Sequence, residues 1–192
     1  MEDYFGSHEL IVKAVIMNLS KISLFSLLIT FSGICRGQDC ISRIPLSVRN
    51  IVSEYKGWRI VSLADLPQDD QKLWTTSRNG QCPGVAIGNF TGGTNLSYVV
   101  ALMRSQQSGG LQEQLVTLTQ DGELLKTNVV VAPTNVTSPF VVWKVPPGTY
   151  KGVDQNKIVR IVNDSFVYEK MEAYARQYYY DNGRVRSIVT AN

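Results

Sequence analysis

Apolar positions recur along this chain in two periods, every three or four residues near the start of the globular part and every second residue thereafter. Within residues 44–55, Val48, Ile51, Val52 and Tyr55 fall on one helical face. Pro45 suits the first turn and Gly57 the stop, so the spacing predicts a helix. Residues 58–63 alternate as a strand, 69–74 predict a short polar helix, and 77–84 read as loop. The period then changes to two. Residues 85–90 and 96–103 predict paired strands around Thr91-Gly92-Gly93-Thr94-Asn95, where two glycines supply positive φ. After a polar turn at 105–110, residues 111–120 and 123–131 flank Asp121-Gly122, a tight-hairpin signature. Residues 132–139 read as loop and 140–143 as a short strand ended by Pro146-Pro147-Gly148. Residues 157–162 fit a strand with one wet face.

The tail carries two signals. Val167, Met171, Tyr174 and Tyr178 have a heptad-like spacing that suits a helix. Against it, Tyr178-Tyr179-Tyr180 and residues 185–189 flank Asn182-Gly183, the strongest hairpin signal in the chain, and strands are the expectation. The whole predicts an α+β fold: mainly antiparallel sheet, about seven to nine strands in hairpins, with one or two N-terminal helices packed on it.

Residues 1–37 have a different character. Lys21 precedes an apolar run over 22–31, the length of a signal-peptide core and too short to span a bilayer. The expectation is a signal peptide over 1–37, with Met17 as an alternative start and Gln38 as the mature terminus. Acylation at Cys35 would make a lipoprotein instead, although Ile34 is bulkier than such a site prefers, and an uncleaved anchor or a buried helix are the other readings. The remainder, 38–192, suits a single exported domain, periplasmic or extracellular, with no membrane span after cleavage. It retains Cys40 and Cys82, an even pair expected to form a disulfide in an oxidising compartment.

The net charge is +3 and is spread thinly. No basic stripe marks a nucleic-acid surface, and none is expected as a partner. The single histidine, His8, lies in the leader. A histidine-free domain excludes Ser-His-Asp and Cys-His nucleophiles and histidine-ligated zinc in their ordinary forms. What survives is carboxylate chemistry, for which Asp65, Asp69, Asp70, Asp154, Asp164, Glu169 and Glu172 form the pool. Tyr174, Tyr178, Tyr180 and Trp143 are the candidate ligand-binding side chains, with sheet packing as their competing role.

Residues 89–97 resemble the acidic-glycine loop of FG-GAP and VCBS repeats, D-x-D-G-D-G-x-x-D, through Asn89, Thr91, Gly92, Gly93, Thr94 and Ser97. Only Gly92 stands unchanged. More broadly, the chain is similar to a class of exported bacterial domains that carry one such loop and end in an aromatic strand, a glycine turn and a final strand. The resemblance implies the turn. Calcium in such loops rests on converging carboxylates, whereas Asn89, Thr91 and Gly93 offer neutral oxygens, so no metal or cofactor is expected and these three are the ligands if one binds. Three functional readings follow. The favoured one is a non-catalytic envelope or secreted interaction module for a protein or glycan partner. The others are a glycosidase-like carboxylate hydrolase of envelope or extracellular polysaccharide, and a calcium-stabilised structural domain.

Overall fold

The computed structural model describes residues 41–42, 44–78, 80–122, 124–153 and 158–191. The expected leader over 1–37 lies outside them, as do Cys40 and Asp154. Contacts divide the chain after Arg36, and every described residue belongs to the second unit, Gly37–Asn192.

The fold is α+β, with eleven strands and two α-helices among the described residues. Helix α1 (Leu46–Glu54) follows Pro45 and buries Val48 and Val52, with Ile51 and Tyr55 partly covered, the face read from the sequence. Next come β1 (Arg59–Ile60), a single 3-10 turn (Leu63–Asp65) and helix α2 (Gln68–Ser77). Asp69 and Asp70 lie in the first turn of α2, where the positive end of the helix dipole favours them. This helix runs longer than its polar pattern predicts, because Trp74 buries itself in the core and holds the last turn down.

Sheet A takes the order β1-β3-β4-β5, with β2 (Val85–Gly88) also beside β3 (Ser97–Ser105). Strand β4 covers Leu111–Asp121 and β5 covers Leu124–Val136. Since β4 occupies one edge of β3 along its length, β1 and β2 share the other edge end to end, Ile60 opposite Leu102 and Val85 opposite Val100. They form one strand position interrupted by the excursion that holds the 3-10 turn and α2. At the junction Val61 N–H donates to Ala101 O at 3.0 Å and Ala101 N–H to Gly84 O at 2.9 Å.

Sheet B, in the order β11-β10-β9-β6, is antiparallel throughout and comprises β6 (Val141–Val145), β9 (Ser165–Lys170), β10 (Tyr174–Asp181) and β11 (Arg184–Ala191). The hairpin β7–β8 (Gly148–Lys151 and Ile158–Ile161) is a third, two-stranded sheet. Four layers result. Val100, Leu102, Val116 and Leu118 face α1. Val99, Ala101, Met103 and Leu115 face Phe166 and Tyr168 of sheet B. The far side of sheet B, with Val167, Ala175, Tyr179 and Ile188, is covered by Tyr150, Val159 and Ile161 of the hairpin.

The structure follows the sequence reading in the tail and departs from it in two places. The tail is strand throughout, because β9 and β10 turn tightly at Glu172 (φ +57°) and Asn182 and Gly183 both take positive φ, as an Asn-Gly hairpin requires. Residues 132–136, expected as loop, continue β5 past Pro133. The strand lies at a sheet edge with register shifts opposite Glu113 and Leu115, and an edge bulge tolerates proline. Finally, Gly148 begins β7 rather than ending a segment, since pairing with β8 and the packing of Tyr150 decide it.

Gly84 is the steric hinge of sheet A. A Cβ there would stand 2.3 Å from Val61 O, which is backbone and cannot step aside. Gly84→Ala is expected to push β1 and β2 apart and destabilise the fold by about 3 kcal/mol, read from urea denaturation followed by near-UV circular dichroism. A midpoint equal to wild type would show that the two half-strands are not tightly abutted.

Candidate functional site

The interruption between β1 and β2 leaves a cleft. After α2 the chain returns through Gly80, Gln81 and Cys82 to start β2, and Trp74 fixes this return by donating its indole N–H to Gln81 O at 3.1 Å. Val142 N–H of β6 donates to Pro83 O at 2.7 Å, bringing sheet B against the same turn. Between these walls and β2 lies an opening of about 290 Å³ lined by Ile44, Gln81, Cys82, Val85, Ile87 and Lys144, among others. Among the described residues its lining is apolar apart from Gln81 and Lys144, and includes no carboxylate.

Two features keep the opening accessible. Strand β2 pairs with β3 on one side and has no strand partner on the other among the described residues, and Ile87 in it is 41% exposed. Lys144 is held only loosely, with its Nζ 3.8 Å from Asp164 Oδ2 and its side chain 49% exposed. Asp164 has a better partner, since Asn89 N–H donates to its Oδ2 at 2.9 Å. Gly88 permits this arrangement, for a Cβ there would meet Lys144 Cδ at 2.8 Å and Asp164 Oδ2 at 2.9 Å.

The residues expected to form a site are dispersed. Tyr174, Tyr178 and Tyr180 do share one face of β10, but that face turns to sheet A. Tyr178 stacks on Phe166 at 5.6 Å, and the Tyr180 hydroxyl meets Thr117 Oγ1 at 3.0 Å. Tyr174 is half-buried and accepts the Arg176 Nε–H at 2.7 Å. Trp143 lies on β6, donating to Glu169 Oε2 at 2.9 Å, with the Arg78 guanidinium 3.7 Å above its ring. Cys82 is buried at the cleft wall and is an engaged sulfur rather than a free thiol. Its expected partner, Cys40, lies outside the described residues.

In the glycine loop Asn89 Nδ2–H donates to Gly93 O at 2.5 Å, clipping the turn, and Gly92 and Gly93 take φ of +84° and +82°. Thr91 is exposed. Asn89 Oδ1 is left without a partner, and among the described residues no group of three His, Cys, Asp or Glu could hold a metal ion. The carboxylate pool is scattered too. Asp65 is bound by Arg59 and Ser62, Asp69 by Lys72, and Glu169 by Trp143, while Glu172 sits exposed in a turn. Among the described residues none of them lines the cleft. No family model, curated protein or solved structure matches this chain, so geometry alone carries its interpretation.

Two residues with unusual surroundings escaped the sequence reading. Lys144 is one, an unremarkable lysine in a short strand until the fold sets it beside β2. The other is Glu113 of β4, fully buried between the sheets. Its Oε2 accepts the Phe140 N–H at 2.9 Å, and its Oε1 has no partner of ordinary hydrogen-bond geometry, with the Tyr168 phenol beside the carboxyl. Its position in the alternation, between Met103 and Leu115 on the inward side, was the available signal. Burial pushes its pKa from 4.5 up to about 8, partly opposed by the Phe140 N–H and Tyr168. Burial and then Glu113 itself raise the Tyr168 phenol, which stays neutral throughout.

An acid whose folded pKa exceeds its unfolded one binds its proton more tightly when folded, so stability is greatest below the unfolded value and declines as pH rises between the two. Unfolding free energy is therefore expected to fall from about pH 4.5 to about pH 8 and then level, by on the order of 4 kcal/mol. Glu113→Gln should remove most of that slope in denaturation curves taken across this range. A wild-type profile already flat there would mean that water reaches the carboxylate.

Proposed function

We propose that the protein is an exported, non-catalytic binding module that captures an extended peptide segment of another protein at the cleft beside β2. The observation that carries this reading is the coincidence of a sheet edge that no described strand pairs with and, among the described residues, an apolar opening with one loosely held cation. Strand addition supplies main-chain hydrogen bonds, and a pocket beside the edge supplies side-chain selection. An aliphatic side chain fits against Ile44, Val85 and Ile87, and a carboxylate fits Lys144, whose exposed pairing with Asp164 contributes about 1 kcal/mol or less and yields readily. Export is supported by the leader-like residues 1–37. Among the described residues no helix is long and apolar enough to cross a membrane. The described lining, apolar with one lysine and no carboxylate, favours binding over hydrolysis at this opening.

Selection of a displayed random-peptide library on the immobilised full-length protein is expected to enrich sequences pairing an aliphatic residue with Asp, Glu or a terminal carboxylate. Lys144→Glu should weaken those peptides at least tenfold in fluorescence polarisation while leaving the melting temperature close to wild type. Failure to enrich any consensus, or peptides indifferent to Lys144→Glu, would remove the cleft from consideration.

The same reading includes a Cys40–Cys82 disulfide that ties the first described residues to the cleft wall. Non-reducing peptide mapping of exported protein should recover these two cysteines in one linked pair, and reduction should lower stability by about 4 kcal/mol. Recovery of Cys82 linked to another residue would redraw that wall.

A further inference from the structure

The β7–β8 hairpin turns Tyr150, Val159 and Ile161 inward onto sheet B. Strand alternation therefore sends Thr149 and Lys151 outward on one arm and Ile158 and Arg160 outward on the other. Register places Lys151 opposite Ile158 and Thr149 opposite Arg160, so these four make one continuous surface, and Val153 and Val162 are exposed just beyond the strand ends. A solvent-facing strand normally shows polar side chains on this side. Here three β-branched aliphatics stand out in water, Val153 at 54%, Ile158 at 68% and Val162 at 70% exposure. Among the described residues this surface contains two cations and no acid, the turn that joins the arms adds one charge of each sign in Asp154 and Lys157, and neither Lys151 nor Arg160 has an ion-pair partner among the described residues. It is also held in place: Val153 N–H donates to Val189 O at 2.9 Å and the Tyr150 hydroxyl to Pro146 O at 2.5 Å.

We propose that this outer hairpin face is a peripheral docking surface for an anionic lipid bilayer, with Lys151 and Arg160 meeting headgroup charges and the three aliphatics entering the interface between them. Its size and chemistry favour a bilayer over a protein. A stable protein interface takes about 800 Å² from each side, roughly 20 to 30 residues, and concentrates its energy in aromatic and arginine anchors. Six small or flexible side chains without an aromatic fall well short. A bilayer demands no shaped counterpart, since each cation near an anionic surface adds roughly fivefold to partitioning and each aliphatic adds its own transfer free energy. Two cations and three aliphatics then give weak, reversible, salt-sensitive attachment. This face lies on the opposite side of sheet B from the inter-sheet core, is separate from the cleft lining, and does not depend on what the cleft binds.

Flotation of the full-length protein with extruded vesicles tests it, one set of phosphatidylcholine alone and one with phosphatidylglycerol added. The leader-like residues are present in every variant and contribute equally, so differences between variants report the hairpin. Wild type is expected to prefer the anionic vesicles, with a preference that shrinks as salt rises. Lys151→Glu with Arg160→Glu should reduce that preference by about 25-fold or more, and Lys151→Gln with Arg160→Gln by less, while thermal melting follows wild type because both side chains are exposed. Ile158→Ser with Val162→Ser should weaken retention on both vesicle types. Lys144→Glu should leave flotation unchanged, which separates this surface from the peptide cleft. Equal retention of wild type on both vesicle sets, or a charge-reversed variant that floats as wild type does, would overturn the proposal. So would capture of polyglutamate without capture of vesicles, in favour of an acidic protein.

Discussion

Strand β3 is buried on both faces, and every other layer takes its place from that requirement. Val99, Ala101 and Met103 need an apolar cover on one side and Val100 and Leu102 on the other. Sheet B meets the first need and α1 the second, because a sheet with two apolar faces must be sandwiched to leave water. Fully burying aliphatic side chains of this kind stabilises by about 1.5 to 3 kcal/mol each. The β7–β8 hairpin repeats the solution one layer further out, covering the side of sheet B that β3 does not reach.

Layers built this way leave few polar groups inside, and those few mark where the architecture is under constraint. Beneath the hairpin Gln177 Nε2–H donates to Ser165 Oγ at 2.8 Å, and the Ser165 hydroxyl donates in turn to Val145 O at 3.3 Å. Glu113 is less well served, a carboxyl with one good donor in an apolar layer, and it stays there by remaining neutral. Its place opposite a bulge of β5 lets the chain curve enough for Phe140 to bring its N–H within reach and stack its ring on Tyr168 at 4.7 Å.

The cleft and the outer hairpin face arise from opposite defects of this layering. One is an interruption within a layer, where the excursion between β1 and β2 withholds a neighbour from β2 and Lys144 of sheet B closes the gap imperfectly. The other is the end of the stack, where no described element covers the outer side of a two-stranded sheet. Binding an extended segment at the first and a charged bilayer surface at the second would let one small domain hold a partner protein close to a membrane, with each contact weak by itself and the pair mutually reinforcing through effective concentration.

Local chemistry and periodicity determined the elements. Val48 and Val52 define the helix face, Asn182-Gly183 the last hairpin, and Gly92-Gly93 the loop after β2, because each depends on a few adjacent residues whose φ/ψ and burial preferences agree. Tertiary structure alone decided what those elements do to one another. Pro133 is compatible with a strand only because β5 lies at an edge, and the tyrosines of β10 pack rather than bind because sheet A stands over them. Glu113 and Lys144, the two side chains with the most consequential surroundings, are ordinary in sequence. Their neighbours come from strands far along the chain, and the electrostatics of a side chain is set by what the fold brings near it rather than by the residues on either side.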